Sequence, residues 1–179
     1  MFDQIKDFFR KRRLNKVASK TPTGFMPLSK IKSATFLIDV EEPGFDQLKD
    51  EILAWGRSAG IKINIYFLDL RRLGKEELLL TSIQTTILKK ELDWLGYPPA
   101  DKLNGLTDER TDMYVSMVDS SSPAVDMISK CANARFKIGR RSYEGHAFDM
   151  IISGNPTEDL RSDSKLIFKA ILEFTAKIQ

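Results

Sequence analysis

"ATFLIDVEEPGFDQLKDEILAWGRSAGIKINIYFLDL", Ala34 to Leu70, decides the fold. Ala34–Val40 is an apolar run of strand length, and Glu41-Glu42-Pro43-Gly44 breaks it as a turn. Phe45, Leu48, Ile52, Trp55 and Ala59 then recur on one face of a helix, which Gly60 stops. Ile61–Leu70 is a second apolar strand. Strand, helix and strand in that order fit a right-handed parallel crossover.

Outward from this unit the pattern continues. Residues 71–111 are the least regular part, with a short strand around Thr85–Leu88 and a helical turn ended by Gly96 and Pro98-Pro99. "MYVSMVD", Met113 to Asp119, is a further strand. A helix follows with Ser122 as N-cap and Pro123 at the first helical position, where a missing N–H costs nothing. "ARFKIG" (134–139) and "FDMIIS" (148–153) are strands, and their short connection suggests an antiparallel pair. A last helix opens at Asn155-Pro156-Thr157-Glu158, with Leu160, Ile167, Ala170, Ile171, Phe174 and Ile178 as its apolar face. Alternating strands and helices of this kind predict an α/β fold: a single doubly wound, mostly parallel, Rossmann-like sheet over residues 34–179.

In front of it stand a linker, 21–33, containing Thr21–Pro27 with two prolines and a glycine, and an arm, 1–20. The whole chain carries +3, but the arm holds seven bases against Asp3 and Asp7, a net +5, so the rest sums to −2. Phe2, Ile5, Phe8, Phe9 and Val17 fall at roughly helical spacing, and Arg10, Lys11, Arg12 and Arg13 crowd the second half. Three readings of the arm follow. It could lie on an anionic membrane surface, with Phe2, Phe8 and Phe9 at the acyl boundary and the bases on headgroups. It could neutralise nucleic-acid phosphates. Or Phe2, Ile5 and Phe8 could pack on the domain itself, as most amphipathic helices do.

No apolar run approaches the length of a bilayer span, and no secretory apolar region opens the chain. With one cysteine, Cys131, no internal disulfide can form. The expected location is the cytoplasm, with the arm as the means of attachment to the inner membrane face. One histidine, His146, excludes a multi-histidine metal site. Cys131 reads as a small packing residue on its helix. Ser162–Lys165 matches S-x-x-K without its companion motifs, so nucleophilic hydrolase chemistry has no support.

Three strands end in aspartate: Asp39, Asp69 and Asp119. In a parallel sheet all three reach the carboxyl edge, where open α/β folds bind ligands, and converging carboxylates could hold Mg²⁺. Ser120, Ser121 and Ser122 precede a helix start, where free N–H groups favour an anion, and Arg140 is expected as a solvent-facing loop residue able to add charge. No glycine-rich phosphate cradle is present. The bland alternative is that Ser122 caps the helix and each aspartate caps a turn. The residues name neither a catalytic group nor a cofactor. An interaction role, with membrane, nucleic acid or protein as partner, stands first, and a small enzyme or binder of phosphorylated, nucleotide or sugar ligands stands second.

The chain resembles a family of uncharacterised bacterial proteins. The likeness rests on Lys32–Asp39, Lys89–Pro98 ("KKELDWLGYP"), Ser129–Gly139 ("SKCANARFKIG") and Phe148–Ile152. Asp112–Gly139 is also similar to the acceptor-side half of heptosyltransferase-like glycosyltransferases, in which a strand ending in Asp leads through a loop and helix to A-x-x-x-I-G. Those enzymes need a second domain for the sugar donor, for which 179 residues leave no room. The likeness therefore implies a fold rather than an activity.

Overall fold

The computed structural model describes residues 2–72, 81–142, 145–153 and 164–178, with the side chain of Phe2 left aside. The expected capping residues Asn155–Glu158, together with Leu160 and Ser162, lie outside them. The elements are α1 (Phe2–Leu14), β1 (Ser33–Asp39), α2 (Phe45–Ala59), β2 (Lys62–Asp69), β3 (Thr86–Leu88), α3 (Ala100–Asp108), β4 (Thr111–Ser116), α4 (Pro123–Cys131), β5 (Ala134–Gly139), β6 (Met150–Ile151) and α5 (Ser164–Lys177).

The six strands form one open sheet in the order β3-β2-β1-β4-β5-β6, and every pairing among them is parallel. This is the Rossmann-like arrangement, with β1 between β2 and β4 at its centre. A central parallel strand is covered on both faces, which is why β1 reads as an unbroken apolar run. Alternate residues serve two cores. Phe36, Ile38, Met113, Val115, Phe136 and Ile138 face α2 and α5. Leu37, Leu68 and Tyr114 face α3 and α4. On the first side Phe36, Trp55 and Phe168 meet edge to face in a closed trio.

Local chemistry sets the boundaries. Gly60 ends α2 in the left-handed region at φ 66, its N–H reaching Arg57 O and Gly56 O, and Ser122 Oγ accepts from Ala124 N to cap α4.

The structure corrects three expectations. β6 runs parallel to β5, with Ile138 opposite Met150, because the connection carries the chain back along β5: Lys137 and Asp149 exchange hydrogen bonds, and the ring of Phe148 lies against Gly139. A helix, α3, stands where only irregular chain was expected. It starts after Pro99, buries only Leu103 and Leu106, and is tied to the chain before it by Lys102, which donates to Ile83 O and Thr86 O. Phe174, expected on the inner face of α5, stands in solvent.

Residues 21–33 follow the sheet closely. Gly24 N–H donates to Arg135 O, the Thr21 and Thr23 hydroxyls donate to Asn133 and Asp149, and Met26 and Ile31 are buried.

Candidate functional site

In this strand order the chain leaves β1 towards one side and β4 towards the other, so a crevice opens between the loops that follow them. Asp39, Asp69 and Asp119 all lie at that carboxyl edge, on or just beyond β1, β2 and β4. Each has its own partners. Asp69 is buried and held on both oxygens by Arg71 Nε and Nη2, at 2.9 and 2.7 Å, which keeps its carboxyl below the usual range. Asp39 accepts from Glu41 N–H and, at 3.3 Å, from the Ser120 hydroxyl, while burial pushes its pKa up. Asp119 faces Arg140. Among the described residues no three Asp, Glu, His or Cys side chains gather closely enough to hold a metal ion.

Arg140 occupies the crevice itself. It was expected on a solvent-facing loop and is 1% exposed. Its Nη1 donates to Glu42, to Met117 O at 2.8 Å and to Ser164 Oγ at 3.0 Å, and its Nη2 stands 3.6 Å from Asp119. One guanidinium thus gathers the loops after β1 and β4 and the start of α5. Arg141 adds a bond to Asp119 O. Arg140, expected to face solvent, is instead buried as a clamp between Glu42 and Asp119, which bring opposite charge to it.

Ser121 and Ser122 look the other way, into a cavity of about 290 Å³ between α4 and the arm, lined also by Asp7, Arg10, Tyr97 and Asp126. Two acids share that lining, and Asp126 accepts from Gly145 N–H beside the start of α4. Asp126 also places a carboxylate in the first turn of α4, where the helix dipole already favours negative charge.

The second constellation is the arm. α1 lies against the loop that leads to Pro98. Leu14 is buried in the α4-side core. Arg10 Nε donates to Leu95 O at 2.8 Å, Tyr97 OH donates to Arg10 O at 3.0 Å, and Arg13 pairs with Asp93. Further on, Lys20 pairs with Asp108. The face that meets the body is thus largely polar. The opposite face carries Ile5, Phe8 and Phe9, which are 47%, 61% and 41% exposed. This overturns the packing of Ile5 and Phe8 on the domain itself. It also divides the bases: Arg10 and the half-exposed Arg13 bond to the body, and Lys11 and Arg12 are exposed beside them. Trp94, 57% exposed, meets Phe9 edge to face.

The model of a family of unknown function, DUF6913, matches residues 6–169. The chain belongs to that family. The match takes in most of the arm and every strand. No curated protein and no solved structure matches the chain, so the likeness to heptosyltransferase-like enzymes gains no support. No helix among the described residues is long and apolar enough to cross a membrane.

Sequence reasoning located the arm and the edge aspartates but missed Asp93, Trp94 and Tyr97. Their signal was the segment D-W-L-G-Y-P itself, in which a tryptophan sits inside a tight glycine turn.

Proposed function

We propose that this chain is an interaction domain, without catalysis of its own, that attaches peripherally to an anionic membrane surface through the outer face of α1, on the cytoplasmic side. The observation that carries the reading is the inverted orientation of α1. A helix that merely packs turns its apolar side inward, and each large apolar side chain left in water forfeits about 1.5–3 kcal/mol. Here the docked face is made of hydrogen bonds and Leu14, while Ile5, Phe8 and Phe9 stand outward with Arg12 among them. Apolar side chains flanked by bases suit the interfacial zone of an anionic bilayer. A nucleic-acid surface would instead direct its arginines at phosphates, and Arg10 and Arg13 are committed to the body.

Sedimentation of the full chain with phosphatidylserine-containing vesicles, with phosphatidylcholine vesicles and with RNA, at low and moderate salt, tests this. The expected result is retention on anionic vesicles that weakens with salt but persists. Retention on RNA alone, abolished by salt, would contradict it.

The strand order favours a second reading, a binder or small enzyme acting on phosphorylated, nucleotide or sugar ligands at the β1/β4 crevice. Against it, Arg140 already fills that place with Glu42, Met117 and Ser164 as partners. A melting-temperature rise with nucleotides or sugar phosphates, with or without Mg²⁺, would move this reading to first place. A ligand at 100 times its Kd contributes about 2.7 kcal/mol.

A further inference from the structure

The turn Asp93–Tyr97 is built around one side chain. Asp93 N–H donates to Tyr97 O at 2.9 Å, and Gly96, at φ 84, closes the turn by donating to Asp93 O at 2.8 Å. Asp93 Oδ1 accepts from Leu95 N–H and Tyr97 N–H at 2.9 and 3.0 Å. That leaves Oδ2, and it grips Arg13. The Tyr97 ring lies under the same guanidinium, 5.3 Å from ring centroid to carbon, and its hydroxyl reaches Arg10 O. Leu95 is buried and offers its carbonyl to Arg10. The turn therefore directs its polar groups at the arm and turns Trp94 alone away from the body, with its ring centroid 5.9 Å from that of Phe9.

We propose that Trp94 belongs to the membrane-docking face and that Asp93 is the positioning residue that holds arm and turn together as one aromatic platform. This rests on the reading of α1 given above. Two separate segments of chain supply the platform, and both carry bases next to their aromatics. Lys11 and Arg12 follow Phe8 and Phe9, and exposed Lys89 and Lys90 precede Trp94. That coincidence of charge argues for an anionic surface in particular. An indole, apolar in body with one N–H donor, suits the headgroup level of a bilayer. Fixing α1 beforehand also matters, because an isolated helix this short is marginal in water, and a pre-ordered face binds without the cost of ordering.

Trp55→Phe in the full chain leaves Trp94 as the sole indole and keeps an aromatic ring beside Phe36 and Phe168. With phosphatidylserine-containing vesicles its emission should shift to the blue and be quenched by bromine-labelled acyl chains, with no change on phosphatidylcholine alone. In the otherwise unaltered chain, Trp94→Ala should lower vesicle retention several-fold. Retention of the protein with Trp94 emission unchanged, and full retention of Trp94→Ala, would overturn this proposal and leave the reading of α1 standing. No retention of the unaltered chain would overturn both. Asp93→Asn separates position from charge. Removing a negative charge beside an anionic surface raises affinity on electrostatic grounds alone, whereas loss of the Arg13 grip lowers it. The proposal requires a several-fold fall with the cooperative melt retained, and a rise would remove Asp93 from it.

Discussion

Phe9 of the arm and Trp94 of the body stand edge to face with their ring centroids 5.9 Å apart, both substantially exposed to solvent. The contact joins two distant parts of the sequence into one apolar surface, and the hydrogen bonds beneath it leave both rings facing outward. The proposed docking surface rests on that geometry, and the fold beneath it can be tested without a partner.

Arg140→Ala should be among the most damaging single changes. It removes a buried guanidinium and leaves Glu42, Ser164 Oγ and Met117 O without their shared donor. Breaking a buried charged cluster on one side costs about 3–5 kcal/mol. Chemical denaturation should show a loss in that range, and a loss of under 1 kcal/mol would mean that the clamp is not what holds the crevice.

Gly56→Ala pits two effects against each other. Helix propensity favours alanine by about 1 kcal/mol. However, its Cβ would collide with Ile63 Cγ1 and stand 3.1 Å from the fixed backbone oxygen of Ile61. Overpacking of this kind costs about 1–3 kcal/mol, so the net change should be a destabilisation. A raised melting temperature would contradict the close approach of α2 and β2.

Lys137 predicts a pH dependence. The residue is 2% exposed, its ammonium donates to Ser129 O and Lys130 O at the end of α4, and burial pushes its pKa down from 10.5 to about 8. Between those values the unfolded chain keeps a proton that the folded chain has released. Stability from this group therefore rises with pH across that window, by on the order of 3 kcal/mol in all. Cys131 opposes it, since burial raises its thiol and the unfolded chain loses that proton first. Comparing unaltered protein with Lys137→Met isolates the lysine. From pH 8 to 9.5 the unaltered chain should gain stability relative to the variant, and parallel curves would refute the burial of the charge.

Strands β1 and β2 were legible because central parallel strands need unbroken apolar runs, and Asp39 and Asp119 could be placed on one edge from the ends of such runs. Arg140 was not legible. Gly-Arg-Arg reads as exposed loop unless the chain elsewhere supplies Glu42 and Ser164, and nothing local announces that. Nor was α3, which buries only Leu103 and Leu106 and so shows little apolar periodicity. The arm was found by its charge and spacing, but its direction was hidden. The periodicity of Ile5, Phe8 and Phe9 says that they share a face, while Leu95 O, Tyr97 OH and Asp93 decide which face turns inward.

Retention of Phe8→Ala/Phe9→Ala on phosphatidylserine-containing vesicles, measured beside the unaltered chain, tests the central claim most directly. Both rings are exposed, so the fold should keep its cooperative melt, and every base of the arm remains. The account predicts that retention falls at least about tenfold, the effect of losing roughly 1.4 kcal/mol, as expected when buried apolar area is removed from the interface. Retention equal to that of the unaltered chain would mean that charge alone brings the protein to the surface, and the outward face of α1 would not be its docking face.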